Sequence, residues 1–234
     1  MNIDAEVVKA MEMERQEIPL FPLNTVLFPG MMLPLHIFED RYKVMIKRCL
    51  AESSEFGVVL LTEGKAEGPI GGIYDVGTTA QIKQVDALPD DRFNIVTTGS
   101  RRFRVIEEHR DLYPYLTATV EFYPLSEQSS AETLNLAWKL SSLVGRYLRL
   151  FKDASGTMFK FGQLPADPLT LAFLVGVILP VDNEIKQEIL SMPDAYSILL
   201  IEYELLKHET LMLEIIRATR PSWATAEELP YYPN

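Results

Sequence analysis

Ile18-Pro19-Leu20-Phe21-Pro22-Leu23-Asn24-Thr25-Val26-Leu27-Phe28-Pro29-Gly30-Met31-Met32-Leu33-Pro34-Leu35-His36-Ile37-Phe38-Glu39-Asp40-Arg41-Tyr42 is the stretch that decides the fold. Prolines at 19, 22, 29 and 34 each remove a backbone donor and fix φ, so no helix crosses it. A strand formed here must lie at a sheet edge or be broken. Pro29-Gly30 signals a turn. From Phe38 the apolar period changes: Phe38, Tyr42, Met45, Ile46, Cys49 and Leu50 share one face of a helix predicted over 39–51.

Downstream, a period of two takes over. Phe56-Gly57-Val58-Val59-Leu60-Leu61-Thr62 is short, apolar and rich in branched residues, as suits a strand buried on both faces. Val76 to Lys83 alternates, with Ala80 and Ile82 opposite Gln81 and Lys83, and Asp86 to Asp91 reads as a turn. Phe93 and Ile95 continue the alternation, and Gly99-Ser100 reads as another turn. Phe103 and Val105 then alternate with Arg102 and Arg104. Leu116, Ala118, Val120 and Phe122 form the last such run. Short strands at this spacing predict a small barrel or closed sheet, and closure would remove exposed edges.

The second half is helical in pattern. Leu136, Leu140, Leu143, Tyr147 and Leu150 make one buried stripe. Asp167-Pro168 is a helix start, carrying Leu171, Phe173, Val175 and Ile178 up to Pro180. Asp182 opens a short helix reaching about Leu190. Ser191-Met192-Pro193-Asp194 has capping-box spacing before a long helix bearing Ile198, Ile201, Leu205, Met212 and Ile215. These signals divide the chain into an N-terminal arm (1–17), a strand-rich subdomain (18–126), a helical subdomain (127–220) and a tail (221–234).

The proline-broken opening resembles the start of the Lon-protease amino-terminal, substrate-binding domain. Its Phe28-Pro29-Gly30 turn and Pro34-Leu35-His36-Ile37-Phe38-Glu39-Asp40-Arg41-Tyr42 segment occur in that family's order. Val76-Gly77-Thr78-Thr79-Ala80, Gly99-Ser100-Arg101-Arg102-Phe103, Tyr115 to Val120, Asp167 to Ala172 and Leu179 to Leu190 are similar to its later blocks. The resemblance covers about 18–217. It implies an α+β fold: a PUA-like small β-barrel with one early helix, followed by a C-terminal helical bundle. In Lon that unit helps select and hold protein substrates, while other domains hydrolyse ATP and cut peptides. The chain is similar to the free-standing Lon-domain proteins, and Asn24 stands where full-length Lon usually has arginine.

Composition narrows the class of function. A net charge of -11 opposes nucleic-acid backbones and anionic lipid. Small basic clusters, such as Arg101 with Arg102 and Arg104, read as solvated faces. One cysteine excludes an intramolecular disulfide, and Cys49 on the apolar helix face reads as a structural thiol. The acidic N-terminus lacks the parts of a secretory signal, and no stretch qualifies as a membrane span, so a cytoplasmic protein without membrane partners is expected.

Catalytic and cofactor patterns are missing. Gly64-Lys65 precedes Ala66 and has Val59 where a phosphate loop needs glycine, so it cannot cradle phosphate. The histidines at 36, 109 and 208 lack ligand spacing, which leaves no metal site to predict. His208 interrupts the stripe of the last helix and reads as a partly buried, satisfied imidazole. Paired acids such as Asp90-Asp91 and Glu107-Glu108 read as turns and solvated edges. No enzyme activity and no cofactor are expected.

What remains is binding. Phe28, Met31, Met32 and Leu33 in the Pro-Gly segment are apolar, and methionine adapts to irregular surfaces. Met31 and Met32 read equally as a gripping patch or as a core plug; Phe28 and Leu33 read more readily as core. Met158, Phe159 and Phe161 form a second candidate surface in a glycine-flanked loop. The partners expected are unfolded or flexible polypeptide segments, or a protease or quality-control protein. An RNA-binding PUA-like module is the alternative, since PUA-like barrels elsewhere bind RNA; Arg101, Arg102 and Arg104 beside Phe103 are its local support. A third reading is an adaptor docking through the helix at 194–217, with Tyr203 and Lys207.

Overall fold

The computed structural model describes residues 15–62, 71–122, 124–125, 130–155 and 163–219. In chain order the elements are β1 (Arg15–Leu23), β2 (Met32–Ile37), α1 (Asp40–Glu52), β3 (Phe56–Leu61), β4 (Ile73–Leu88), β5 (Arg92–His109), β6 (Thr117–Phe122), α2 (Ala131–Ser155), α3 (Pro168–Ile178), α4 (Asn183–Ser191) and α5 (Ala195–Thr219). They form two compact units. One takes in the described residues up to Leu125 together with Pro180–Ser191; the other takes in those of Ser126–Leu179 and from Met192 on. The segments 1–14 and 220–234, which hold most of the expected arm and the expected tail, lie outside the described residues.

The first unit is a mixed six-stranded sheet in the order β2-β5-β4-β3-β1-β6. β1 runs parallel to β3 and antiparallel to β6. β6 also pairs with the second half of β5. The pairings therefore pass from β5 through β4, β3, β1 and β6 and return to β5. β2 stands apart from this circuit, appended to the first half of β5. β3 is buried at every position, as its unbroken apolar run requires. Inside the circuit, Leu20, Phe103, Leu116 and Val120 are fully buried, each contributing roughly 1.5–3 kcal/mol if it is taken wholly out of water.

α1 covers the sheet between β2 and β3 with Tyr42, Met45, Ile46 and Cys49. Phe38 and Leu50, expected on the same face, are 45% and 41% exposed. Phe38 precedes the helix and keeps the facing of β2, while Leu50 is turned one residue past Cys49 and away from the sheet.

Three expectations on this unit give way. β1 is neither an edge strand nor a broken one: it runs through Pro19 and Pro22 between β6 and β3, with Arg15–Pro19 paired to β6 and Leu20–Leu23 paired to β3. Gly99-Ser100 is not a turn, because β5 runs through it without a break. Arg102 is not on a solvated face: it is buried and its Nη1 donates to the Leu190 carbonyl at 2.6 Å. That bond closes the C-terminal end of α4, which was expected in the helical half. Gln187 Nε2 adds a 2.9 Å bond to the Val76 carbonyl, and Asn183 Nδ2 a 2.7 Å bond to the Asn24 carbonyl. These three side-chain hydrogen bonds hold the helix to the strands.

The second unit packs α2, α3 and α5. Ser130 Oγ accepts from Thr133 N at the start of α2, and Asp167 Oδ2 accepts from Thr170 N at 2.7 Å at the start of α3. The cap of α5 is Asp194, which accepts from Ser197 N at 2.8 Å; Ser191, the expected cap, instead bonds back to the Gln187 carbonyl. The Ser197 backbone holds the Asp194 carboxyl below its usual range. Leu136, Leu140, Tyr147 and Leu150 of α2 are buried as the stripe predicts.

α5 departs from its expected face. Its buried residues are Ala195, Ile198, Leu199, Glu202, Leu206 and Thr210. Met212 and Ile215 are exposed instead. His208 is also exposed rather than half-buried, since it lies off the buried stripe.

Candidate functional site

The Pro-Gly segment builds a defined corner. Met31 N donates to the Phe28 carbonyl at 3.0 Å across Pro29 and Gly30, and Gly30 has φ 79°. Proline at the second position and a left-handed glycine at the third are what a type II turn requires. Gly30 N then donates to the Gly99 carbonyl and Gly99 N to the Met31 carbonyl, both at 2.9 Å. Two residues of one strand thus oppose one of the other, with glycine in the left-handed position: a G1 bulge. A Cβ on Gly99 would stand 2.3 Å from the Phe28 carbonyl oxygen, so Gly99 marks a close backbone approach rather than a turn.

This corner sets the facing of β2. Leu33 and Ile37 are buried, and Leu35 packs against the same core. The opposite parity faces outward: Met32, Pro34 and His36 along the strand, then Phe38 just past its end. Met32 is 66% exposed. The His36 ring lies 5.8 Å from the Phe38 ring, and His36 Nδ1 is 2.7 Å from Asn94 Oδ1. Pro34 falls opposite Val96, and Met32 opposite Thr98. One strand further in, Gln81, Gln84 and Asp86 pair with Thr98, Val96 and Asn94. The outer face is therefore apolar and aromatic along β2 and mostly polar on the strands behind it.

The sequence candidates separate accordingly. Phe28 (0% exposed) and Leu33 (9%) belong to the core and cannot contact a partner without unfolding. Met31 is half-buried against that core, which leaves Met32 as the presented side chain. Met158, Phe159 and Phe161 lie outside the described residues. The helical period sets Phe38 on the face of α1 and so hides it from the outward row. The signal that finds it is the period of two running from Met32 through Pro34 and His36.

The arginines also separate. Arg102 is interior, Arg101 lies over the Phe122 ring at 3.8 Å, and Arg104 faces Asp75 at 3.7 Å. Phe103 is core, as its strand parity predicts, so it offers no stacking platform. On α1, Arg48 lies 4.6 Å over the Tyr113 ring, and Tyr113 stacks on Tyr115 at 5.2 Å.

In the helical unit, Tyr203 and Lys207 do meet, the Lys207 ammonium standing 5.9 Å from the ring and 3.2 Å from Glu204. Lys207 lines a cleft of about 340 Å³ with Leu143, Arg146, His208, Leu211 and Glu214. Arg146 and Glu214 pair across it at 2.5 Å, so its charges are largely matched.

The buried titratable groups are Tyr42 and Cys49 in the core beneath α1 and Glu202 on the buried face of α5. Burial pushes the Tyr42 hydroxyl up to about 12 against the opposing pull of Arg41, and burial also raises the Cys49 thiol. Glu202 is wholly buried, and among the described residues neither of its oxygens makes a hydrogen bond of good geometry. Burial drives its carboxyl well above the ordinary range, only partly opposed by the Gly176 backbone. Among the described residues no three His, Cys, Asp or Glu side chains group to hold a metal ion, and no helix is long and apolar enough to cross a membrane.

Comparison with known proteins agrees with this architecture. The family model of the ATP-dependent protease La (LON) substrate-binding domain matches residues 17–208. Lon protease 2 of Myxococcus xanthus is 28% identical over 205 residues, covering 86% of this chain and 24% of its own. The Lon protease of Anaeromyxobacter dehalogenans is 27% identical over 201 residues, covering 85% and 24%. The chain thus spans about a quarter of the length of the curated relatives it matches. A Lon N-terminal domain protein from Xanthomonas campestris superposes with a TM-score of 0.59 at 24% identity, over 88% of this chain and 99% of that one. The N-terminal domain of Mycobacterium avium complex Lon protease gives 0.65 at 20%, over 82% and 98%. At these identities the two structures speak for the fold alone.

Proposed function

Because this chain belongs to the Lon substrate-binding domain family, we propose that it is a non-catalytic module that holds polypeptide segments and presents them to a quality-control partner. The closed circuit of strands acts in this reading as a PUA-like barrel, a rigid support for the Met32 face. The observation that carries it is the outward row Met32, Pro34, His36 and Phe38, set on a strand whose other face is locked into the core. Exposed methionine and aromatic side chains on a rigid element suit a partner that lacks one fixed shape.

Nucleic acid falls outside this reading. The net charge of -11 opposes it, and Arg102 is spent inside the fold. The matched charges of the Lys207 cleft make it a weaker docking surface than the β2 face, so an adaptor role through α5 is secondary.

Anisotropy of a fluorescein-labelled, permanently unfolded polypeptide tests the proposal, with wild type compared against Met32→Asp. Met32 is exposed, so the variant should fold normally and bind at least about fivefold more weakly; losing a buried apolar contact and desolvating a carboxylate both act in that direction. Equal binding by both proteins would remove this face, and no binding by wild type would end the reading altogether.

A further inference from the structure

We propose that β2 takes its polypeptide partner as an added β-strand, main chain to main chain, on its open side. The inference rests on the polypeptide-binding reading and specifies how the segment is held. Among the described residues β2 pairs with β5 alone, so one side of the strand carries backbone groups that no neighbouring strand meets.

Which groups these are follows from the bulge. Gly99 N donates to the Met31 carbonyl, and the register sets Leu33 against Thr97, Leu35 against Ile95 and Ile37 against Phe93. In an antiparallel ladder every second residue exchanges its bonds with the same neighbour. Stepping by two from Met31 turns the backbone groups of Leu33, Leu35 and Ile37 toward β5. Those of Met32, Pro34 and His36 turn outward. Pro34 has no N–H to offer, and it occupies a position where that absence costs the native sheet nothing. The open side therefore presents donors at Met32 and His36 and acceptors at Met32, Pro34 and His36.

That pattern specifies its occupant. Only an extended polypeptide offers N–H and C=O groups alternating at the spacing of a strand, about 3.4 Å per residue. Side-chain placement points the same way. Solvated edges are normally blunted by lysine or an inward charge, with apolar residues kept inland. Here the order is inverted: Met32 and Phe38 border the open side, while Gln81, Gln84, Asp86 and Asn94 lie behind. An added strand would meet Met32 and Phe38 as cross-strand neighbours. The missing donor at Pro34 limits the pairing to a short segment and discourages the long, sequence-blind pairing that leads to aggregation.

The test removes a single outward donor. His36→Pro deletes the N–H at an outward position and leaves the β5 ladder intact; His36→Ala keeps that N–H and discards the ring contacts with Asn94 and Phe38. The probe is a labelled ten-residue peptide of alternating valine and threonine with terminal lysines, read by anisotropy against the full chain. Both variants lose the ring, so His36→Ala is the reference: the further loss of one hydrogen bond predicts about fivefold weaker binding by His36→Pro than by His36→Ala. On the peptide side, N-methylation at every second residue in one parity should abolish binding, while the other parity should be tolerated. These peptides are tested on wild type and decide the matter even where His36→Pro folds poorly. His36→Pro within twofold of His36→Ala, or equal binding of the two methylated peptides, overturns strand addition while leaving the polypeptide-binding reading standing. If wild type binds no peptide and no unfolded polypeptide, both fall.

Discussion

Glu202 gives the sharpest prediction. It sits on the buried stripe of α5 between Ile198 and Leu206, with no exposed surface. Burial favours the neutral acid, and the Gly176 backbone offsets that only in part. The folded chain therefore keeps this proton at pH values where the unfolded chain has released it. Below the ordinary glutamate range both states are protonated and the group contributes nothing to the pH dependence. Above it the unfolded state binds fewer protons, so folding stability falls as pH rises, by about 1.4 kcal/mol per pH unit until the folded group also ionises. Each pH unit inside this window is a sizeable fraction of a typical total of about 5–15 kcal/mol. Glu202→Gln keeps the shape and removes the titration. Urea unfolding between pH 4 and 8, followed by circular dichroism and by tryptophan fluorescence (Trp138 lies on α2), should show the two proteins alike at pH 4. They should then diverge, with the Gln protein the more stable at neutral pH. Parallel curves across that range would refute the reasoning, because they would mean the carboxyl is either ionised and paired in the fold or reachable by water.

Three further outcomes are expected. Gly99→Ala places a methyl against the Phe28 carbonyl and should cost about 1–3 kcal/mol by overpacking, read as a lower urea midpoint. Arg102→Ala leaves the Leu190 carbonyl and the end of α4 without their donor; a loss of about 1–3 kcal/mol is expected, with faster amide exchange along Asn183–Ser191 than in wild type. Asp167→Ala removes the cap of α3 and should lower stability by about 1 kcal/mol, whereas Asp167→Asn should recover most of it.

The strands and short helices were readable because their apolar residues keep one period and their partners are local. β3, β6 and the buried face of α1 around Met45 follow from counting alone. α5 defeats the same count. Its buried stripe contains Glu202 and Thr210, while Met212 and Ile215, which complete the apolar heptad-like pattern, lie outside. A period in hydrophobicity finds the packed face only when the packed face is apolar. Arg102 and Gly99 fail for a related reason. A buried arginine is recognised by the carbonyl it serves, and a strand glycine by the backbone that crosses it; Leu190 and Phe28 stand 88 and 71 residues away in the chain. The assignment of α4 is likewise a matter of distant partners, since Val76 and Arg102 decide where that helix rests.

The binding face and the core of β2 are set by one choice of register. A slip of a single residue would carry Leu33, Leu35 and Ile37 to the outside and bring Pro34 and His36 against α1, exchanging every side chain between faces. The G1 bulge at Gly30 and Gly99 pins that register at one end, and the burial of Ile37 pins it at the other. The outward row can thus vary in chemistry without any cost in packing, because none of its side chains carries the core. Substitutions at Met32 should change what is bound and leave stability within about 0.5 kcal/mol, whereas substitutions at Leu33 should unfold the strand unit before they alter its selectivity. Finding that Met32 variants bind normally but melt early would mean that the parity of this strand, and with it the site, is assigned to the wrong face.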